Sequence, residues 1–127
     1  MSYVKSFREL DVYKLSREVS KEIFMLSKGF PVEERYSLTD QIRHSSRSVG
    51  AQIAEAWGKR KYERHFLSKL TDADSEQLET QHWLEIAEES EYISVIVCKS
   101  LLSKCESIGK MIQSMMDKSA MFCKKNQ

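Results

Sequence analysis

Proline occurs once in the 127 residues and glycine four times. A sheet fold of this length needs many turns, and turns draw on those two residues for their fixed or permissive backbone angles. Their scarcity, beside 31% charged residues and many strong helix formers, predicts an all-α chain without strands. Cysteine is also sparse: Cys98, Cys105 and Cys123 are odd in number and form no C-x-x-C pair. That argues against a disulfide framework and reads as reduced packing thiols of a cytoplasmic protein. No apolar run reaches the length of a membrane span and no apolar leader opens the chain, so neither a membrane nor a secreted protein is expected. Gly-rich phosphate loops and nucleophile–base constellations are missing as well, and His44, His65 and His82 show no metal spacing. The chain therefore reads as non-catalytic, without cofactor or metal.

What the chain does have is charge in blocks. The net charge is only +1, yet residues 41–65 carry six Lys/Arg against two acids, and residues 71–91 carry eight acids with no Lys or Arg. Residues 99–127 return to an excess of lysine. Blocks of this kind steer partners of opposite sign or pair with one another, within a protomer or across subunits.

Apolar spacing predicts four helices. The first runs from residue 7 or 10 to 27, with Ser6 and Glu9 spaced as a capping box and Val12, Leu15, Val19, Ile23 and Leu26 on one face. Gly29, taking a left-handed conformation, and Pro31 would stop it. The second begins near Ser37, whose hydroxyl would cap it, and ends at Gly58. Its many small residues, Gly50 among them, suit close approach to neighbours. A third spans about residues 62–89, with Gln77 and Thr80 making its apolar stripe unusually polar. The fourth starts near Ser94 and carries Cys98, Leu101, Cys105, Ile108, Ile112 and Met115 at alternating spacings of three and four. A second row, Leu102, Gly109 and Met116, is either an oligomer face or extra burial. Residues 114–127 either extend this helix or form a frayed tail. Short connectors between four helices predict a single domain over residues 1–127, an antiparallel up-down-up-down bundle.

Several motifs fall in a recognisable order. Phe7, Leu10, Val12 and Tyr13 open the chain; Phe30, Pro31, Glu33 or Glu34, Tyr36, Leu38, Gln41, Ile42 and Arg43 follow. Ser48 then precedes Gln52, Ile53, Ala54, Glu55, Ala56, Trp57, Gly58 and Lys59. Over residues 6–100 this resembles the 23S rRNA intervening-sequence-encoded proteins, whose pattern is Ser, then Asn-Ile-Ala-Glu-Gly-x-Gly-Arg. Gln52, Ala56 and Lys59 depart from it, while the order of amide, acid, small residue, glycine and cation is kept. The resemblance implies a four-helix bundle in a ring-shaped homopentamer, with RNA association suggested by the family's name and no established enzymatic activity. A more distant likeness, at the level of fold alone, is to the accessory variability determinants of diversity-generating retroelements, which work with a reverse transcriptase and nucleic acid.

Two groups of residues stand out. Arg43 and Arg47, four apart on one helical face, and Lys59, Arg60, Lys61 and Arg64 at the helix's other end form a candidate RNA-binding or DNA-binding cluster, with Trp57 and Tyr62 available for stacking. The competing reading is a solvated face, or salt bridges to the acidic third helix. Glu55, flanked by alanines, should meet a cation from another helix or subunit, and Gln52 could share that contact. Two function classes follow: an oligomeric scaffold that recruits protein partners, and a nucleic-acid-binding ring.

Overall fold

The computed structural model describes residues 4–123. A 3-10 turn, Phe7–Glu9, precedes four main helices: α1 (Asp11–Ser27), α2 (Leu38–Gly58), α3 (Glu63–Glu89) and α4 (Val95–Asp117). A second 3-10 turn, Val32–Glu34, lies between α1 and α2, and a one-turn helix, α5 (Ser119–Phe122), follows α4. Among the described residues there is no strand. Lys124 and Lys125, part of the basic tail, lie outside the described residues.

The helix ends differ in detail from what the sequence predicts. Ser6 accepts from the Arg8 amide and Glu9 from the Lys5 amide, so the expected capping box instead holds the 3-10 turn, and α1 begins behind Leu10. No glycine takes a positive φ; α1 ends because its last hydrogen bonds tighten, with Gly29 and Phe30 donating to Leu26 and Ser27. Ser37 does not cap α2 either. Its hydroxyl donates to Glu34 Oε1 at 2.7 Å, and that carboxylate accepts from the Leu38 amide at 3.4 Å. The other Glu34 oxygen accepts from the Tyr92 hydroxyl at 2.9 Å, joining the α1–α2 connector to the α3–α4 turn. These hydrogen bonds, from Ser37 first and then Tyr92, hold the Glu34 carboxyl below its ordinary pKa.

The end of α3 is a Schellman motif: Tyr92 donates to the carbonyl of Ala87 and Glu91 to that of Glu88. Glu91 occupies the left-handed position at φ 64°, where glycine is the usual residue. Ser94 caps α4 through the Val97 amide at 3.1 Å.

Each helix packs against its neighbours in sequence, and α1 packs against α4, so the four surround one core. Ile23, Ile42, Ile53, Phe66, Leu70, Leu84, Leu101, Ile108 and Ile112 are its large fully buried side chains. Leu15 and Leu26 are only partly buried, and Ser16 and Ser27 face inward instead. The second row of α4 belongs largely to the core too, since Leu102 and Met116 pack against it. Small residues set the helix spacing. A Cβ at Gly50 would lie 3.1 Å from Ser16 Oγ, so α2 meets α1 closely there. Between α2 and α3 the hydroxyls of Ser45 and Thr80 lie 2.9 Å apart, both fully buried. Beyond α4, Phe122 stacks on Phe66 at 5.7 Å and Ser119 donates to Glu63, folding the end of the described chain onto α3.

Candidate functional site

The six cations do not form one cluster. Arg47 and Lys59 are twelve residues apart on or just after a helix that rises about 1.5 Å per residue, so two groups sit roughly 18 Å apart along α2. At the first, Arg43 Nε donates to Ser27 Oγ at 2.7 Å and its guanidinium lies 4.6 Å from the centre of the Phe24 ring on α1. Arg47 lies 4.9 Å from the same ring and Lys28 Nζ 5.0 Å. At the second, Arg60 stacks 3.6 Å from the Trp57 ring and donates to the Trp57 carbonyl, and Lys61 lies 5.7 Å from the Tyr62 ring. Lys59, Lys61 and Arg64 are exposed.

Neither group is neutralised by the acidic helix. Among the described residues the ion pairs are those of Lys69 with Glu55 and Asp72, and of Lys104 with Glu18 and Glu22. The acids of α3 spend their hydrogen bonds elsewhere, Glu79 on the Trp83 indole and Asp74 on Gln77. Glu76 Oε1 is buried with no hydrogen-bond partner among the described residues. Burial first, then the neighbouring Glu79 charge, raises the Glu76 pKa against the smaller opposing effect of His44.

Cations missed at the sequence level come from α1. Lys14, Arg17 and Lys21 line an open groove with Phe24 and Arg47, and Arg17 donates to the Tyr13 hydroxyl at 2.8 Å. Their spacing of three and four places them on one helical face, which is the signal that would have found them; α1's acids hide it in any count of charge. Glu18 also borders this groove, but Lys104 on α4 holds it at 3.0 Å and Glu22 at 3.1 Å. The positive side of α1 is thereby left to α2.

Glu55 meets Lys69 of α3 at 2.9 Å, and the same ammonium donates to Gln52 Oε1 at 3.3 Å. The hydrogen bond from Lys69 and its charge hold the Glu55 carboxyl below its ordinary pKa, with a smaller contribution from Lys59. Asp72, one turn along α3, shares the ammonium at 3.9 Å, and the geometry is that of a helix-to-helix tie.

The profile of the 23S rRNA-intervening sequence protein family matches residues 8–114. The chain belongs to that family. A solved structure of a protein of unknown function, from the S23 ribosomal protein family of Bacteroides thetaiotaomicron, is similar at a TM-score of 0.76 and 31% identity, covering 84% of this chain and 95% of that one. No curated protein matches the chain. Both cation groups and the Glu55–Lys69 tie fall inside the segment matched by the 23S rRNA-intervening sequence profile. Among the described residues of this family member, no helix is long and apolar enough to cross a membrane.

Proposed function

We propose that the protein is a non-catalytic cytoplasmic scaffold, an antiparallel up-down-up-down bundle that assembles into a homopentameric ring and contacts nucleic-acid phosphates through α2 and its flanking elements. The observation that carries the phosphate contact is the state of the cations. Arg43, Arg47, Lys59, Arg60, Lys61 and Arg64 have no carboxylate partner within ion-pair distance among the described residues, while aromatic rings back Arg43, Arg47, Arg60 and Lys61. Phosphate binding needs such cations because it releases condensed counterions, and guanidinium planes offer a stacking surface to unpaired bases. Antiparallel order is supported by the short connectors and by packing between sequence neighbours. Self-association is supported by large exposed apolar side chains, Leu78 on α3 and Val95 and Ile96 on α4.

Binding to short single-stranded and duplex RNA, measured across a salt series, tests the reading. A falling affinity with rising salt, lost on neutralising the six cations, is expected. Absence of binding at low salt, or binding indifferent to those substitutions, overturns it. Light scattering at micromolar concentration checks assembly, and a monomeric mass would remove the ring. The alternative, an accessory protein that binds nucleic acid only together with a protein such as a reverse transcriptase, is favoured by the same exposed apolar residues. It would show as RNA binding only when that partner is added.

A further inference from the structure

The Phe24 ring has three cations around it and no paired anion. Lys28 is the C-cap residue of α1, one turn beyond Phe24, and Arg43 and Arg47 come from successive turns of α2. With each within 5.0 Å of the ring centre, no two of the charges are more than about 10 Å apart, close to the screening length of about 8 Å at physiological salt. Attraction to the ring face offsets part of their mutual repulsion but leaves the positive charge in place. The nearest acid by sequence, Asp40, borders the outer groove of α2 beside Arg43 and Arg47 without forming an ion pair with either.

Arg43 is also held in place. Ser27 is 3% exposed, and its hydroxyl donates to the Phe24 carbonyl at 2.8 Å while accepting from Arg43 Nε at 2.7 Å. The donor consumed is Nε. The two terminal nitrogens of Arg43 have no hydrogen-bond partner among the described residues, which leaves the forked end of the guanidinium for a ligand. A flexible surface arginine would lose much rotamer freedom on binding; this one is already ordered.

We propose that Phe24 and Ser27 seat Lys28, Arg43 and Arg47 as a discrete site for a terminal phosphate group on a nucleic-acid strand. The inference rests on the nucleic-acid reading above and names the part of the strand this site takes. A terminal phosphate carries about −1.5 to −2 charge near neutral pH, against −1 for an internal diester, and so matches three converging cations better. The groove of Lys14, Arg17 and Lys21 leads away from Phe24 along α1 and provides the track for following phosphates. Phe24 and Ser27 are positioning residues; the three cations touch the ligand.

The test uses fluorescence anisotropy with one short single-stranded oligoribonucleotide in two forms, 5′-phosphate and 5′-hydroxyl, and inorganic phosphate as competitor. The wild-type protein is expected to prefer the phosphorylated form by roughly tenfold, the scale of one added charge-assisted contact. Arg47→Gln, at an exposed position, and Arg43→Gln should each erase that preference, and Ser27→Ala should reduce it with all three cations present. Lys59→Gln with Arg60→Gln should lower both affinities and leave the preference intact. Equal affinity for the two forms, or a preference that survives Arg47→Gln, overturns the terminal-phosphate site while the nucleic-acid reading stands. If neither oligonucleotide binds but inorganic phosphate shifts the Arg43 and Arg47 side-chain resonances, the phosphate site stands and the nucleic-acid reading falls. No shift and no binding removes both.

Discussion

Gly109 on α4 faces the side chain of Gln77 on α3 so closely that a Cβ at 109 would lie 2.9 Å from Gln77 Nε2. Gln77 is 4% exposed and cannot swing away freely, because it donates to Asp74 at 2.9 Å and accepts from Gln81 at 2.7 Å. Alanine in place of glycine would favour the helix by about 1 kcal/mol, and displacing Gln77 would cost about 0.5–1.5 kcal/mol for each hydrogen bond lost. Gly109→Ala is therefore expected to destabilise the protein by about 1 kcal/mol in denaturant titration. In a Gln77→Ala background the same change should stabilise by a similar amount, so the sign reversal in a double-mutant cycle is the check.

Glu91 gives a prediction of opposite sign. Its left-handed backbone costs a residue with a Cβ about 1 kcal/mol, and its charge sits at the negative end of the α3 dipole. Glu91→Gly should raise stability by about 1 kcal/mol with both Schellman hydrogen bonds kept. Glu91→Val, β-branched at a positive φ, should lower it, and thermal unfolding of the two variants side by side decides the point.

The Glu55–Lys69 pair should contribute only within a pH window. The Glu55 pKa is lowered in the folded state, so its contribution is present above the unfolded value and disappears as pH falls through the lower folded one. Lys69 is raised, chiefly by its hydrogen bond to Glu55, so its share is present below the ordinary lysine pKa and disappears as pH rises through the folded one. Both groups are solvated, so the effect is modest. Glu55→Gln should lower the unfolding midpoint slightly at neutral pH and not at all in strong acid.

Glu76 should behave in the reverse sense. Its folded pKa is raised, so the charged form destabilises the fold above that pKa, and the penalty fades as pH falls toward the unfolded value. Glu76→Gln is expected to raise the midpoint at neutral pH, with the gain vanishing below the carboxylate range. A constant gain across that range would mean packing, not charge, is responsible.

The cysteines should be silent toward thiol reagents in the folded protein. All three are buried, and burial pushes the Cys105 thiol up to about 12. No labelling is expected at pH 8 until denaturant is added.

The helices were legible because their apolar residues recur at three and four, and the fourth starts beside Ser94, where that spacing put it. The ends at Ser27, Gly58 and Glu89 also fall where expected, but the capping of α2 was not legible: Glu34 caps it from outside the helix, through a turn whose geometry no spacing rule encodes. Glu55 pointed to a cation on another helix or subunit without saying which; α3, which packs along α2, offers Arg64 and Lys69, and only the packing selects Lys69. The surroundings of the basic residues were hidden for a simpler reason. Residues 43–64 are close in sequence, but a helix carries them apart, and Arg43 and Arg47 meet Phe24 of α1, with Ser27 bonded to Arg43 and Lys28 of the α1 C-cap over the same ring.

The contact between α1 and α4 bears on how the chain is born. Some 90 residues separate the end of α1 from the end of α4, and at about 5–20 residues per second a ribosome needs several seconds to supply them. During that interval α2 can pack on α1 and α3 on α2, but the side of α1 that meets α4 has no cover, and Lys104 has not yet arrived to bind Glu18 and Glu22. The nascent protein thus displays an uncovered flank until its last long helix emerges.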